Sequence, residues 1–165
     1  MAGAISLLID SPLRDLVLAM REVGPEMKKY IGSETKKVAQ PIWFEETRGR
    51  AMTRVQQRVL VDSARVGVQA NNVTLRSGAV GRLSSGTPVQ RLASAAEFGM
   101  GAEKRITQRS RKGKSFTRRA GNTFGAPRRG GYVVYEAGDA SRARIASLWI
   151  QTAHRALHDA DEKAG

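Results

Sequence analysis

A long basic arm constrains this chain more than any other feature of its 165 residues. Residues 103–131 contain ten lysine and arginine side chains but a single acid, Glu103, so they supply nine of the thirteen net positive charges. The basic residues are Lys104, Arg105, Arg109, Arg111, Lys112, Lys114, Arg118, Arg119, Arg128 and Arg129. A block of like charge with few apolar anchors buries too little surface to offset its ordering entropy. We therefore expect the arm to be mobile or a weak hairpin in a lone subunit, and to order on a partner.

The arm also contains a hairpin pattern. Residues 104–108 and 115–119 have the composition of short strands, and Gly113 between them can supply the positive φ of a tight turn. The rest of the chain is only mildly basic, which distinguishes it from a uniformly cationic domain. The composition thus indicates one domain with one cationic arm, and such a domain has different partners from a domain that is basic throughout.

The N-terminal part is predicted to be helical. Over residues 10–62 apolar side chains recur at helical spacing, beginning after Ser11-Pro12, a pair typical of a helix start. Pro41 and Gly49 are expected to kink or split the long helical stretch. No segment approaches the length of a membrane span, and no signal peptide is recognised.

Strands are predicted to follow the helices. A two-residue period over residues 64–76 predicts a β-hairpin, and residues 88–99 predict a short helix whose end Gly99 can cap. Residues 132–158 predict a strand at residues 132–135 and then a C-terminal helix at residues 140–157. This order predicts an α+β fold in a single domain, with N-terminal helices and a C-terminal helix packed on a small antiparallel sheet and the arm as an excursion.

Two apolar features define the expected core and interfaces. Trp43-Phe44 is an adjacent aromatic pair, which is more often core or subunit interface than a ligand site. The C-terminal helix carries one wide apolar stripe, which we expect to pack on the sheet. The stripe consists of Ile145, Leu148, Trp149, Thr152 and Ala156.

Metal binding has one candidate in the sequence. His154 and His158 are four residues apart on the predicted C-terminal helix, a spacing by which two imidazoles can share a metal. Arg155 between them opposes a cation, and the glutamate of a zinc protease helix is missing. The nearby acids are Asp159, Asp161 and Glu162. We interpret the group as a solvated helix face, and because the chain has no cysteine a thiolate site is impossible.

Catalytic patterns are weak throughout the chain. Glu45-Glu46 are adjacent on a helix and diverge by about 100°, which is poor geometry for a general acid and base. Gly99-Met100-Gly101 lacks the third glycine and the Lys-Ser/Thr ending of a phosphate loop. We therefore predict that the protein is not an enzyme and uses no cofactor.

The arm has three interpretations. Arginine density, with Phe116 and Phe124 available to stack on bases, favours nucleic-acid binding. Basic arms also dock on acidic protein surfaces, and the aromatic residues here are not regularly interleaved with the basic ones. A solvated loop without a partner is the third interpretation, although an excursion of this length is uncommon without a role.

Several segments resemble a known family. The stretch Ala95-Ala96-Glu97-Phe98-Gly99 resembles the neck, or tail-completion, family of long-tailed double-stranded DNA phages, in which a small apolar helix ends in an acid-Phe-Gly step before an arm of variable length. Residues 36–42, with their proline, resemble the family's long second helix, and residues 132–157 resemble its closing strand and helix. The chain departs from the family in its longer, more basic arm, and in having residues 131–134 where a proline-phenylalanine pair is usual.

The resemblance implies a structural virion protein, assembled in the host cytoplasm. Such a protein forms a homo-oligomeric ring, expected to be a hexamer, that joins the head connector to the tail tube or terminator proteins, transiently near genomic DNA and without a membrane. The family motif is Glu97-Phe98-Gly99. A basic RNA- or DNA-binding module is the alternative. For the ring, candidate contact residues are Trp43, Phe44, Ile150 and Leu157, with Arg105, Arg109, Arg111, Lys112, Lys114, Arg118, Arg119, Arg128 and Arg129 of the arm.

The direction of the arm follows from the genome's need to pass through the ring. Many simultaneous phosphate contacts give high affinity even when each contact is weak, so an arginine-lined channel would retain DNA. We therefore expect the arms to lie away from the channel. Their expected partners are carboxylates on a neighbouring subunit or an adjoining ring.

Overall fold

The computed structural model describes residues 5–6, 20–69, 72–110 and 112–164. Its elements are, in chain order, β1 (Ile5–Ser6), α1 (Pro25–Arg50), α2 (Arg54–Gln56, continued by a π-helical turn, Gln57–Val61), β2 (Arg65–Val68), β3 (Val73–Arg76), α3 (Gln90–Phe98), β4 (Arg105–Arg109), β5 (Ser115–Arg119), a 3-10 turn (Gly121–Thr123) and α4 (Val134–Ala164). The predicted α+β class is confirmed. The predicted helix start at Ser11-Pro12 lies outside the described residues.

Helix α1 is more continuous than predicted. The prediction that Pro41 splits the helix is wrong, because the helix runs through that proline to Arg50. Pro41 is exposed, whereas Ile42 and Trp43 beside it are buried, and burial of a helix face can outweigh one missing backbone hydrogen bond. The helical stretch is split only after Gly49, where Thr53 and Gln56 form a reciprocal capping box that starts α2.

The main sheet is small and antiparallel. Strand β3 lies between β1 and β2, and Val66 pairs with Leu75 in the predicted hairpin. Helix α1 packs against β2 and contacts it with polar groups as well. The Gln40 side chain accepts from the Val66 N–H at 2.9 Å and donates to the Ala64 carbonyl at 3.0 Å, and Trp43 Nε1 donates to the Arg76 carbonyl at 3.1 Å. These contacts fix the helix to the sheet.

The C-terminal helix corrects two predictions. Residues 132–135 do not form a strand, because α4 already begins at Val134 and includes Gly138. The helix packs mainly on α1 and more sparsely on strand β3, rather than resting mainly on the sheet. Ile145 and Trp149 are buried in this helix pair. The core therefore lies between two long helices and one face of the sheet.

Candidate binding surface on the basic arm

A buried carboxylate joins α3 to α4. Glu97 is 4% exposed, and it accepts hydrogen bonds from the backbone N–H groups of Val133, Val134 and Tyr135 at 2.9 to 3.1 Å. These N–H groups have no partner within a helix, and the positive end of the helix dipole favours a negative charge there. Glu97 is thus a long-range N-cap, which we call the Glu97 joint.

The two residues after Glu97 complete the joint. The Phe98 ring lies 5.5 Å from that of Tyr135 in a tilted arrangement. Gly99 ends α3 with a φ of 72°, and a Cβ at this position would collide with the Ala126 carbonyl oxygen. Gly131 is restricted in the same way by the Glu97 carboxylate. The whole Glu97-Phe98-Gly99 motif therefore serves architecture, since each residue holds the two ends of the arm together.

Between those ends the arm forms the predicted hairpin. Strands β4 and β5 are antiparallel, and Gly113 in the turn has a φ of 82°. The outer face is polar and exposed: Arg105 lies opposite Arg119, Arg109 lies opposite Ser115, and the hydroxyls of Thr107 and Thr117 share a hydrogen bond at 3.2 Å. Arginine and threonine side chains therefore form a regular outward-facing row.

The C-terminal end of the arm belongs to the core, which corrects the expectation that residues 103–131 lie outside it. Ala120 and Phe124 are buried in a small cluster with Ala95. Phe124, 3% exposed, is therefore unavailable to stack on bases, contrary to that interpretation. Phe116 is 45% exposed and remains available. The hairpin is closed at its base, where the Ala120 N–H donates to the Lys104 carbonyl at 2.7 Å.

The cations of the arm differ in how far they are already paired. Arg119 pairs with Glu103 at 3.1 Å, and Arg128 pairs with Glu136. Half-buried Arg118 donates to Gln108 Oε1 at 3.0 Å. The remaining predicted contact residues form no ion pair with any described residue. They are Arg105, Arg109, Lys112, Lys114 and Arg129. Arg111 lies outside the described residues.

A cleft between the hairpin and the body extends the basic surface. It comprises two cavities of about 510 and 700 Å³, and both are lined by Arg82, Ser85, Leu92, Gln108 and Phe124. The arginines along the whole cleft are Arg54, Arg58, Arg82, Arg91, Arg109 and Arg118. Sequence reasoning missed the first four, although Arg54 and Arg58 stand four apart and so share one helix face.

The aromatic pair predicted at a subunit interface is divided by the fold. Trp43 is fully buried, which confirms the core alternative for this residue and contradicts its listing as a contact residue of the ring. Phe44 is only half-buried. Ile150 and Leu157 are partly buried against the core cluster, which leaves part of each side chain accessible.

Chemical groups elsewhere are dispersed. His158, Asp159 and Glu162 have ligand atoms within 4.8 Å of one another, but all three are exposed on the last turns of α4. Glu46 forms an ion pair with Arg50 at 2.5 Å, so the two members of Glu45-Glu46 are in different environments. Among the described helices none is long and apolar enough to cross a membrane.

The Glu97 joint and the arginine-lined cleft are therefore the two distinctive features of the molecule. Comparison with models of known families, with curated proteins and with solved structures finds no match.

Proposed function

We propose that this protein is a structural subunit of a phage neck, and that copies of it form a ring, a hexamer by expectation, joining the head connector to the tail tube. The observation that carries the proposal is the Glu97 joint. The acid-Phe-Gly residues on which the family resemblance rests are the residues that fix α3, the arm and α4 to one another. An architectural role for the motif agrees with a protein whose task is assembly.

The arm supports the same proposal. Its outer face and turn carry Arg105, Arg109, Lys112 and Lys114, all exposed and without an ion pair to any described residue. A charged side chain without a partner in its own subunit is free to contact one in another subunit. In the ring, these cations pair with carboxylates of a neighbouring subunit or an adjoining ring, and the channel remains free for DNA.

Nucleic-acid binding is the second candidate, and one observation favours it. The outer face of the hairpin presents arginine and threonine side chains on a two-stranded ribbon, and the major groove of DNA admits such a ribbon. The burial of Phe124 weakens the version of this candidate that relies on base stacking. The two candidates differ in the partner of Arg105 and Arg109, which is a carboxylate in one and a phosphate in the other.

Removal of the hairpin tests the assembly role. The bond between Ala120 and Lys104 closes the hairpin base, so residues 105–119 can be replaced by a short Gly-Ser linker while the buried Ala120 and Phe124 remain. We expect the full chain to assemble into a closed oligomer, as measured by light scattering and electron microscopy. The variant should keep its circular dichroism spectrum and fail to assemble.

Two other results contradict the proposal. If the full chain stays monomeric at high concentration and binds duplex DNA in a salt-dependent way, the nucleic-acid candidate is favoured instead. If the variant assembles as the full chain does, the arm is not the quaternary contact. A matched control replaces Arg142 and Arg144, exposed on α4, with alanine and should assemble normally.

A further inference from the structure

The hairpin has an open edge along β4. The bonds from the Ser110 N–H to Lys114 and from the Ala120 N–H to Lys104, at 2.8 and 2.7 Å, identify the hydrogen-bonded pairs of the ladder. Because such pairs alternate with non-bonded pairs in antiparallel strands, the backbone groups of Arg105, Thr107 and Arg109 point away from β5. None of these groups has a backbone partner among the described residues. They form a row able to pair with another strand.

This open edge lies in the cleft. The 700 Å³ cavity is lined by four consecutive residues of β4, from Ile106 to Arg109. Successive side chains of a strand point to opposite faces, so a cavity that meets all four runs along the edge of the strand. Leu92, Ala95 and Met100 form the aliphatic wall opposite. The cavity, which also reaches Ser115 of β5 near the turn, is thus a trough beside unpaired backbone.

The charges of the cleft select the ligand. Six arginines line it, and Asp62 is the one acid among its described lining residues. Arg54, Arg91 and Arg109 form no ion pair with any described residue, and Asp62 pairs only weakly with Arg58 at 3.8 Å. An arginine fork matches the geometry of a carboxylate, so a ligand that carries carboxylates would satisfy these side chains.

We propose that an acidic, extended segment of another protein binds in this cleft by adding a third strand to β4. The backbone of Thr107 and Arg109 supplies the hydrogen bonds, as in other cases of strand addition. Alternate side chains of the added strand point to the aliphatic wall and to the arginines, so the segment alternates apolar and acidic residues. This inference rests on the proposed function, since the donor of the segment is a neighbouring protein of the neck.

Two other occupants fit the cleft less well. Single-stranded nucleic acid uses aromatic side chains as stacking platforms, whereas the aromatic residue that lines this cleft, Phe124, is 3% exposed. A second copy of this chain is a poor donor because its net charge is +13. Half of its described acids are also committed, since Glu34, Glu46, Glu103, Glu136 and Asp139 are in ion pairs and Glu97 is buried in the joint.

Proline substitution tests strand addition with a matched control. Thr107 and Thr117 face each other in the hairpin, both exposed, and neither N–H belongs to the bonds between β4 and β5. Thr107→Pro removes a donor from the edge in the cleft, and Thr117→Pro removes one from the opposite edge. The probe is a fluorescein-labelled synthetic peptide of alternating valine and glutamate, measured by anisotropy on the full chain.

We expect Thr107→Pro to weaken peptide binding by about tenfold or more and Thr117→Pro to change it by less than about twofold. A peptide with lysine in place of glutamate should not bind. Equal effects of the two prolines, or none, would overturn strand addition. If a single-stranded oligothymidine with the same number of charges binds more tightly than the acidic peptide, the ligand of the cleft is nucleic acid and not an acidic segment.

A second probe avoids any change to the protein. Two peptides are N-methylated on alternate residues, so that each loses the N–H groups of one edge. One should lose binding and the other should keep it, and equal behaviour of the two argues against an added strand.

Ring formation is measured separately by light scattering without peptide. A chain that binds the peptide but never assembles contradicts the proposed ring only, and a ring that does not bind the peptide contradicts only the inference drawn from the cleft.

Discussion

The Glu97 joint and the hairpin use charge in opposite ways. At the joint, one carboxylate is withdrawn from water and fully supplied with backbone N–H donors. On the hairpin, Arg105 and Arg119 face each other on an exposed surface, with Glu103 alone forming an ion pair there. Like charges across a strand pair are unfavourable. The chain tolerates them because water and salt screen the repulsion on an exposed surface.

This contrast separates the charges that must be satisfied within the fold from those that remain exposed on its surface. Burial of an unpaired charge would cost several kcal/mol, so Glu97 has to be satisfied within the subunit. The exposed arginines carry no such requirement. The predictions below test where the boundary between the two regions lies, beginning with the part of the body that the joint anchors.

The largest effect is expected for Trp149→Ala. Trp149 is 4% exposed where α4 packs in the core, so truncation should lower the free energy of unfolding by about 3–5 kcal/mol. Urea denaturation measures this loss. Arg144→Ala, an exposed change on the same helix, should leave the unfolding midpoint nearly unchanged. If the two variants unfold at the same urea concentration, Trp149 is not part of the core and the packing described for α4 is contradicted.

The next prediction compares the two phenylalanines of the arm, one buried in the core and one exposed on the hairpin. Phe124→Ala should destabilise the protein by about 3 kcal/mol, because the side chain is buried against Ala95. Phe116→Ala, at 45% exposure, should cost less than about 1 kcal/mol. Thermal unfolding of both variants locates the boundary between the core and the exposed part of the hairpin. A larger loss of stability for Phe116→Ala than for Phe124→Ala would mean that the hairpin strands belong to the core.

Glu97 gives the third prediction. Glu97→Ala leaves three backbone N–H groups without their acceptor, and water can replace part of the loss, so we expect about 2–3 kcal/mol of destabilisation. Glu97→Gln keeps an acceptor but removes the charge and should cost about 1–2 kcal/mol. Glu103→Gln, an exposed acid of the arm, is the control. Hydrogen exchange at Val134 and Tyr135 should rise in the Ala variant, and unchanged protection there would contradict the cap.

The smallest effect on stability is expected for a substitution on the outer face of the hairpin. Arg105→Thr removes one of two like charges that face each other, so the melting temperature should rise by about 1 °C at low salt. The gain should shrink in high salt, because screening already weakens the repulsion. Differential scanning calorimetry at two ionic strengths measures both values. A clear loss of stability would mean that Arg105 has a partner within the subunit.

Sequence patterns predicted the features that depend on neighbouring residues. The two-residue period placed the hairpin of β2 and β3, and Gly113 between two short runs placed β4 and β5 within one residue. Gly99 was correctly predicted to end α3, because a positive φ after a helix strongly favours glycine. The α+β class followed from the order of these local elements.

The errors arose where distant residues decide the structure. Residues 132–135 are β-branched and aromatic, and their composition predicts a strand. They begin a helix because Glu97, more than thirty residues earlier, accepts their N–H groups. The cleft was missed for the same reason, since Arg54, Arg82 and Arg91 are scattered in sequence and are brought together only by folding. Local composition identified the arm but not the wall that faces it.

Gln40 has a consequence for solubility. Its side-chain amide bonds to both Ala64 and Val66 along the edge strand β2, much as a short piece of neighbouring strand would. A bare edge strand is a template on which other chains can stack into aggregates. At the start of β2 one donor and one acceptor of that template are already occupied by the chain's own glutamine, which makes pairing with another chain's strand at this point less favourable.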